Sequence, residues 1–174
     1  MSDAFTDHLP THDPEHSGIV RALWTRRVVM CLLAALVLVA LIGLIGQRQS
    51  TSSATAPSAT MRLTAPKTLR GGIFFQARVE VIAHDDLKFP SLVLDDGWLD
   101  GIQINSVTPQ PPNENALNGK AQLGYGELPA NHRLVVWFEF EVNPTNVSRH
   151  SFGIQLEDGN KPVARIDRTI RVLP

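Results

Sequence analysis

The longest uninterrupted apolar segment of the chain runs from Val28 to Gly46, with the sequence VVMCLLAALVLVALIGLIG. An α-helix needs about 20 such residues to cross the hydrocarbon core of a bilayer. A helix is expected because lipid offers no hydrogen-bond partners to backbone N–H and C=O groups. The pattern therefore predicts one transmembrane helix over residues 28–46.

The charges beside this segment predict its orientation. Arg26 and Arg27 directly precede it, whereas Arg48 is the one nearby cation that follows. Cations concentrate on the cytoplasmic side, so we expect a cytoplasmic N-terminus and an extracytoplasmic C-terminus. A cleaved signal peptide is the alternative, but its apolar core spans about 7–15 residues and ends near a small-x-small cleavage site. The apolar segment here is longer, which favours an uncleaved, single-pass signal anchor in the cell membrane.

The segments around the span differ in composition. Residues 1–27 contain several acidic side chains, Pro10 and Pro14, and they end in a basic juxtamembrane segment. This composition predicts a disordered cytoplasmic tail. Residues 47–60 are rich in Ser, Thr, Ala and Pro, which predicts a flexible linker. Residues 61–174 have the length and apolar content of one folded domain.

Within this domain, apolar and polar residues alternate with a period of two. From Ile73 to His84 the residues Phe75, Ala77 and Val79 share one face, and the intervening positions are mostly polar. The segment from His132 to Val142 has the same pattern. A period of two is typical of a strand with one face buried against a core.

Shorter apolar segments separated by turn residues complete the domain. The turns are predicted at Gly71-Gly72, Asp96-Gly97, Asn118-Gly119, Asn143-Pro144 and Asp158-Gly159. After Gly46 the sequence has no sustained helical period. We therefore predict an all-β fold, an antiparallel immunoglobulin- or fibronectin-like β-sandwich of about 7–8 strands, preceded by one transmembrane α-helix.

One passage resembles a known family. Tyr125, the turn Glu127-Leu128-Pro129-Ala130 and the alternating strand from Leu134 to Val142 are similar to the turn and strand near the end of fibronectin-like and bacterial immunoglobulin-like domains. The resemblance implies a sandwich fold and no particular function.

Composition excludes several functions. Residues 61–174 contain twelve Lys and Arg against thirteen Asp and Glu, so the sequence predicts no nucleic-acid surface. The sole cysteine, Cys31, lies in the apolar segment, and there is no Gly-x-Ser-x-Gly motif. We therefore expect no enzymatic activity and no cofactor.

Metal binding is the alternative function. His84, His132 and His150 are three imidazoles of the domain that suit copper or zinc. They are far apart in sequence and form no motif, so solvated histidines are the competing interpretation. The acidic residues Asp95, Asp96 and Asp100 lack the ligand spacing of a calcium loop and are interpreted as turn residues.

Trp137 carries the main interaction hypothesis. Alternation places it on the polar face of its strand, between Arg133 and Glu139, and aromatic residues are enriched at the centres of binding surfaces. A neighbouring loop covering Trp137 is the other interpretation. The sequence thus predicts a membrane-anchored extracytoplasmic module without catalysis, whose partners are the lipid bilayer and a protein at the membrane.

Overall fold

The computed structural model describes residues 14–41, 47–117 and 119–173. The chain divides into two compact units, residues 1–46 and 47–174. The described part of the first unit is one helix, α1, Pro14–Leu41. Its window Arg21–Val39 is long and apolar enough to cross a membrane, and its side chains are exposed.

Helix α1 begins earlier in the chain than the sequence predicted. Residues 14–27, predicted to be part of a disordered tail, are helical. Pro14 is the first helical residue, a position where proline is tolerated because its missing N–H would have no partner within the helix. The predicted disorder of residues 1–13 and the predicted end of the span at residues 42–46 lie outside the described residues.

The second unit is an antiparallel β-sandwich. Its described residues form three sheets with the strand orders β1-β2-β4-β9-β6, β10-β13-β3 and β12-β11-β5-β8-β7. All pairings are antiparallel except the parallel pairing of β13 with β3. The strands are β1 Gln49–Thr55, β2 Ala59–Pro66, β3 Thr68–Arg70, β4 Phe74–Ala83, β5 Pro90–Leu94, β6 Ile102–Thr108, β7 Asn113–Leu117, β8 Lys120–Gly124, β9 Arg133–Val142, β10 Arg149–Ser151, β11 Ile154–Asp158, β12 Lys161–Ile166 and β13 Thr169–Leu173.

The predicted linker is ordered over most of its length. Residues 49–55 form β1, which pairs with β2 in continuous register from Gln49↔Pro66 to Thr55↔Thr60. The prediction of a flexible linker over residues 47–60 is therefore wrong for this segment. Small Ser, Thr and Ala side chains carry little apolar surface, but here a neighbouring strand supplies the hydrogen bonds that order them.

Aromatic side chains fill the centre of the sandwich. Trp98 is fully buried, its ring centroid is 4.1 Å from that of Phe152, and its Nε1–H donates to the carbonyl oxygen of Gly153 at 2.9 Å. Phe75 stacks on Phe140 with centroids 4.9 Å apart. The buried faces of β4 and β9 belong to the same core, as their alternation predicts, and the buried face of β2 joins them.

The predicted fold class is confirmed: the unit is an all-β antiparallel sandwich after one helix. The strands are more numerous than the predicted seven or eight, with thirteen among the described residues. One reason is the segment before the predicted turn at Asn118-Gly119, in which Asn113–Leu117 forms β7 on the edge of a sheet.

Candidate functional site

The candidate interaction site is the outer surface of the sheet β1-β2-β4-β9-β6. Because side chains alternate along a strand, Arg133, Trp137 and Glu139 of β9 point away from the core, beside Arg78 and Glu80 of β4. We call these five residues the β4–β9 face. Val136 and Phe138, which lie between them along β9, are fully buried.

Trp137 lies at the centre of the β4–β9 face. Its side chain is 44 % exposed, so the interpretation in which a loop covers it is wrong. The guanidinium carbon of Arg78, its cross-strand neighbour, lies 5.3 Å from the ring centroid. A cation over an indole face is attracted by the ring electrons, and this holds the ring in one orientation.

Ion pairs fix the charged residues on one side of Trp137. Glu80 accepts from Nη1 of Arg133 at 3.2 Å, and its other oxygen lies 3.5 Å from Nη2 of Arg78. The Glu80 side chain is 14 % exposed, whereas that of Arg133 is 61 % exposed. Arg133 therefore keeps most of its surface available while its charged end is held in place.

Hydrogen bonds hold Glu139 on the other side. Its carboxylate accepts from Nε2 of Gln76 at 3.1 Å and from Oγ of Ser106 at 2.8 Å. The face thus combines one exposed indole with side chains whose positions are already fixed. Such a surface loses little conformational entropy when a partner binds.

The structure places all three predicted interaction residues on one face, where each has a different partner. Arg133 pairs with Glu80, Trp137 with Arg78, and Glu139 with Gln76 and Ser106. Arg78 and Glu80 also belong to the site, although the sequence did not indicate them. Their alternation in β4 was visible, but the register that sets them opposite β9 was not.

The three candidate metal-binding histidines do not form one site. Nε2 of His84 is hydrogen-bonded to Oγ1 of Thr60 at 2.9 Å, and Nδ1 of His132 lies 3.2 Å from the carbonyl oxygen of Ala130. His150 is buried in another cluster. Among the described residues, no group of three or more His, Cys, Asp or Glu side chains is arranged to hold a metal ion.

His150 belongs to a hydrogen-bonded cluster with Ser148, Asn146 and Asp100. Its Nε2 lies 2.6 Å from Oγ of Ser148 and 3.1 Å from Oδ1 of Asn146, and its Nδ1 lies 3.3 Å from Oδ2 of Asp100. This is the order of contacts in a Ser-His-Asp triad.

The Asn146 side chain distinguishes this cluster from a triad. Its Oδ1 accepts from Oγ of Ser148 at 3.3 Å, and its Nδ2 donates to the carbonyl oxygens of Asp100 and Gly101, both at 3.1 Å. The four side chains therefore connect β10 and the segment before it to the segment before β6. We assign the cluster a structural role.

Comparisons with known proteins yield no family. No family model matches the chain, and no curated protein matches it. Among solved structures, it is similar to a non-cellulosomal cohesin from Archaeoglobus fulgidus, with a TM-score of 0.39 and 17 % identity over 63 % of this chain and 88 % of that one.

Two further solved structures are similar at the same level. The protein CaCohA2 from Clostridium acetobutylicum matches with a TM-score of 0.43 and 12 % identity, covering 63 % of this chain and 88 % of its own. A CARDB domain from Pyrococcus furiosus, in complex with di-metal ions, matches with a TM-score of 0.42 and 13 % identity, covering 71 % of this chain and 95 % of its own. Similarity at this level assigns neither a family nor a function to the chain.

Proposed function

We propose that this chain is a membrane-anchored extracytoplasmic module that binds another envelope or membrane component through its β4–β9 face, without catalysis of its own. The anchor is the apolar segment 28–46, with the N-terminus in the cytoplasm. The β-sandwich of the second unit lies outside.

The exposed side chain of Trp137 is the main support for the binding role. Burying an indole on binding removes a large apolar area from water, and tryptophan is among the residues that dominate interface energetics. The contact with Arg78 and the ion pairs of Glu80 orient the surroundings before binding. Charged residues around an aromatic centre match the general anatomy of an interface, with a polar rim around a buried core.

Location is tested with reporter fusions at residue 174, one reporter active only in the cytoplasm and one active only outside it. The proposal predicts activity of the external reporter alone. Activity of the cytoplasmic reporter would overturn the extracytoplasmic assignment.

Binding is tested by comparing the full chain with Trp137→Ala and with a matched control, Phe89→Ala. Phe89 is also an exposed aromatic residue, 71 % exposed, and it lies outside the β4–β9 face. In membranes solubilised with a mild detergent, the native chain and the Phe89 variant are expected in a complex larger than the chain alone. The Trp137 variant is expected to lose that complex. Equal behaviour of both variants would contradict the role of the face.

A further inference from the structure

A basic cleft lies on the small sheet formed by β10, β13 and β3. Arg149, Arg171 and Thr68 are direct neighbours across the three strands, and their side chains are exposed. Together with Lys67 and Thr169 they line a cleft of about 280 Å³. Three cations and two hydroxyl groups thus surround one shallow space, and none of the described residues that line it is acidic.

The cations of this basic cleft are not paired with any described residue of the second unit. Across its described residues, 47–117 and 119–173, neither an ion pair nor a side-chain hydrogen bond engages Lys67, Arg149 or Arg171. Like charges directly opposite each other in a sheet are unfavourable. An anion in the cleft would remove this repulsion, and guanidinium groups suit phosphate because they donate two parallel hydrogen bonds.

The basic cleft lies near the start of the second unit, residues 47–174. Gln49 is the Cα partner of Pro66, the residue before Lys67, and the carbonyl oxygen of Lys67 accepts from the N–H of Arg171 at 3.1 Å. From the rise of an extended chain and the separation of paired strands, Lys67 is on the order of 10 Å from Gln47. In sequence, Gln47 directly follows the apolar segment.

An exposed aromatic residue lies at the same end. Phe74 is 66 % exposed and lines a second cavity together with Gln47 and Gln49. Basic groups combined with an exposed apolar side chain are typical of protein surfaces that contact a membrane, because cations attract anionic headgroups and the apolar group enters the interface.

We propose that the basic cleft of Lys67, Arg149 and Arg171 binds the phosphate groups of anionic phospholipids in the membrane that holds the chain. This rests on the proposed function, since the segment 28–46 must lie in the membrane for its headgroups to be within reach of Lys67. Lipid is favoured over an acidic peptide because the cleft lies close to the residue that follows the predicted span.

The test uses the full chain reconstituted into vesicles of phosphatidylcholine, with or without phosphatidylglycerol. Hydrogen exchange of backbone amides in residues 67–70 and 169–173 reports on the cleft. Phosphatidylglycerol is expected to slow this exchange in the native chain. Arg149→Glu with Arg171→Glu should abolish the effect, since each cation near an anionic surface contributes about fivefold to binding.

The matched control is Lys88→Glu with Lys161→Glu, which changes the net charge equally at two exposed positions outside the cleft. This control is expected to keep the response to phosphatidylglycerol. An equal loss in the control, or no response in the native chain, would overturn the proposal. The proposal would also be overturned if inorganic phosphate, added to phosphatidylcholine vesicles, slowed the exchange equally. That result would indicate a site for a free anion. Protection by polyglutamate would mark an acidic-peptide site and overturn the lipid assignment.

Flotation of the same vesicles separates this inference from the proposed function. If the chain floats with the vesicles but phosphatidylglycerol does not slow its hydrogen exchange, the lipid-binding role of the cleft is overturned and the membrane anchor is not. If the chain does not float, the membrane anchor and the lipid-binding role are both overturned.

Discussion

Arg168 donates two hydrogen bonds to Ser50, from Nη1 to the backbone carbonyl oxygen at 2.8 Å and from Nη2 to Oγ at 2.6 Å. Nη2 also donates to the carbonyl oxygen of Ala65. The arginine is 8 % exposed, and burial lowers its pKa from the ordinary value. One buried guanidinium near the end of the chain therefore fixes β1 at the start of the sandwich.

Replacing Arg168 with methionine is expected to release β1. The acceptors on Ser50 and Ala65 would lose a charged donor, which costs about 2 kcal/mol of unfolding free energy. Hydrogen exchange should become faster in residues 49–55 and stay unchanged in β11. Arg165→Met is the control, because Arg165 bonds to Asp95 and Asp167 instead. Unchanged protection of β1 in the Arg168 variant would contradict its role.

The protein is expected to lose stability at alkaline pH because of Tyr125. Burial, with a smaller contribution from the charge of Glu114, raises the pKa of its phenol above the ordinary value of 10.0. Above pH 10 the unfolded chain releases this proton while the folded chain retains it, so the free energy of unfolding falls as pH rises. Tyr125 is the sole tyrosine, so absorbance of the phenolate in a pH titration reports on it directly.

Tyr125→Phe is the matched variant for this effect. The hydroxyl is buried without a hydrogen-bond partner among the described residues, so its removal is expected to change stability at neutral pH by less than about 1 kcal/mol. Urea unfolding at several pH values should give a shallower alkaline decline for the variant than for the native chain. Identical declines would show that the phenol is not the group responsible.

Gly153 leaves room for the buried carboxylate of Asp95, which is paired with Arg165. The carboxylate accepts from Nη2 of Arg165 at 2.7 Å, and a Cβ atom on Gly153 would overlap Oδ2 of Asp95. Gly153→Ala is expected to lower stability by about 1–3 kcal/mol, since the carboxylate must move. Gly126→Ala is the control, because a Cβ there meets nothing within 4 Å. A denaturant midpoint that shifts equally in both variants would refute this explanation.

Ser148 is expected not to act as a nucleophile. Because Asn146 shares the contacts of Ser148 and His150, a fluorophosphonate probe should leave the full chain unlabelled. Asn146→Ala should lower stability by about 1–2 kcal/mol, because two carbonyl oxygens lose their donor. Labelling of Ser148, absent in Ser148→Ala, would replace the structural role of this cluster with a catalytic one.

The sequence predicted those strands whose burial alternates strongly. β4 and β9 each bury one face, so the period of two was readable and placed Trp137 outward. β1 was not predicted, because its order comes from pairing with β2 and from Arg168, which is 118 residues from Ser50. By composition alone, residues 49–55 resemble a flexible linker.

The candidate sites were predictable only in part, for a similar reason. Trp137, Arg133 and Glu139 share one strand, so alternation sufficed to group them. Arg78 and Glu80 join them through the register of β4 with β9. The cleft residues Lys67, Arg149 and Arg171 are brought together by a sheet of three short strands, which no local pattern in the sequence indicates.

We expect the β4–β9 face to bind a partner at the membrane. The most direct measurement is photocross-linking in intact membranes of the source cells, with a photoreactive amino acid at Thr108, which is exposed and is the Cα partner of Trp137. A discrete adduct is expected at this position, absent when the same group is placed at Lys161 and lost when Trp137→Ala is added. No adduct at Thr108, or an adduct that persists without the indole, would contradict the claim.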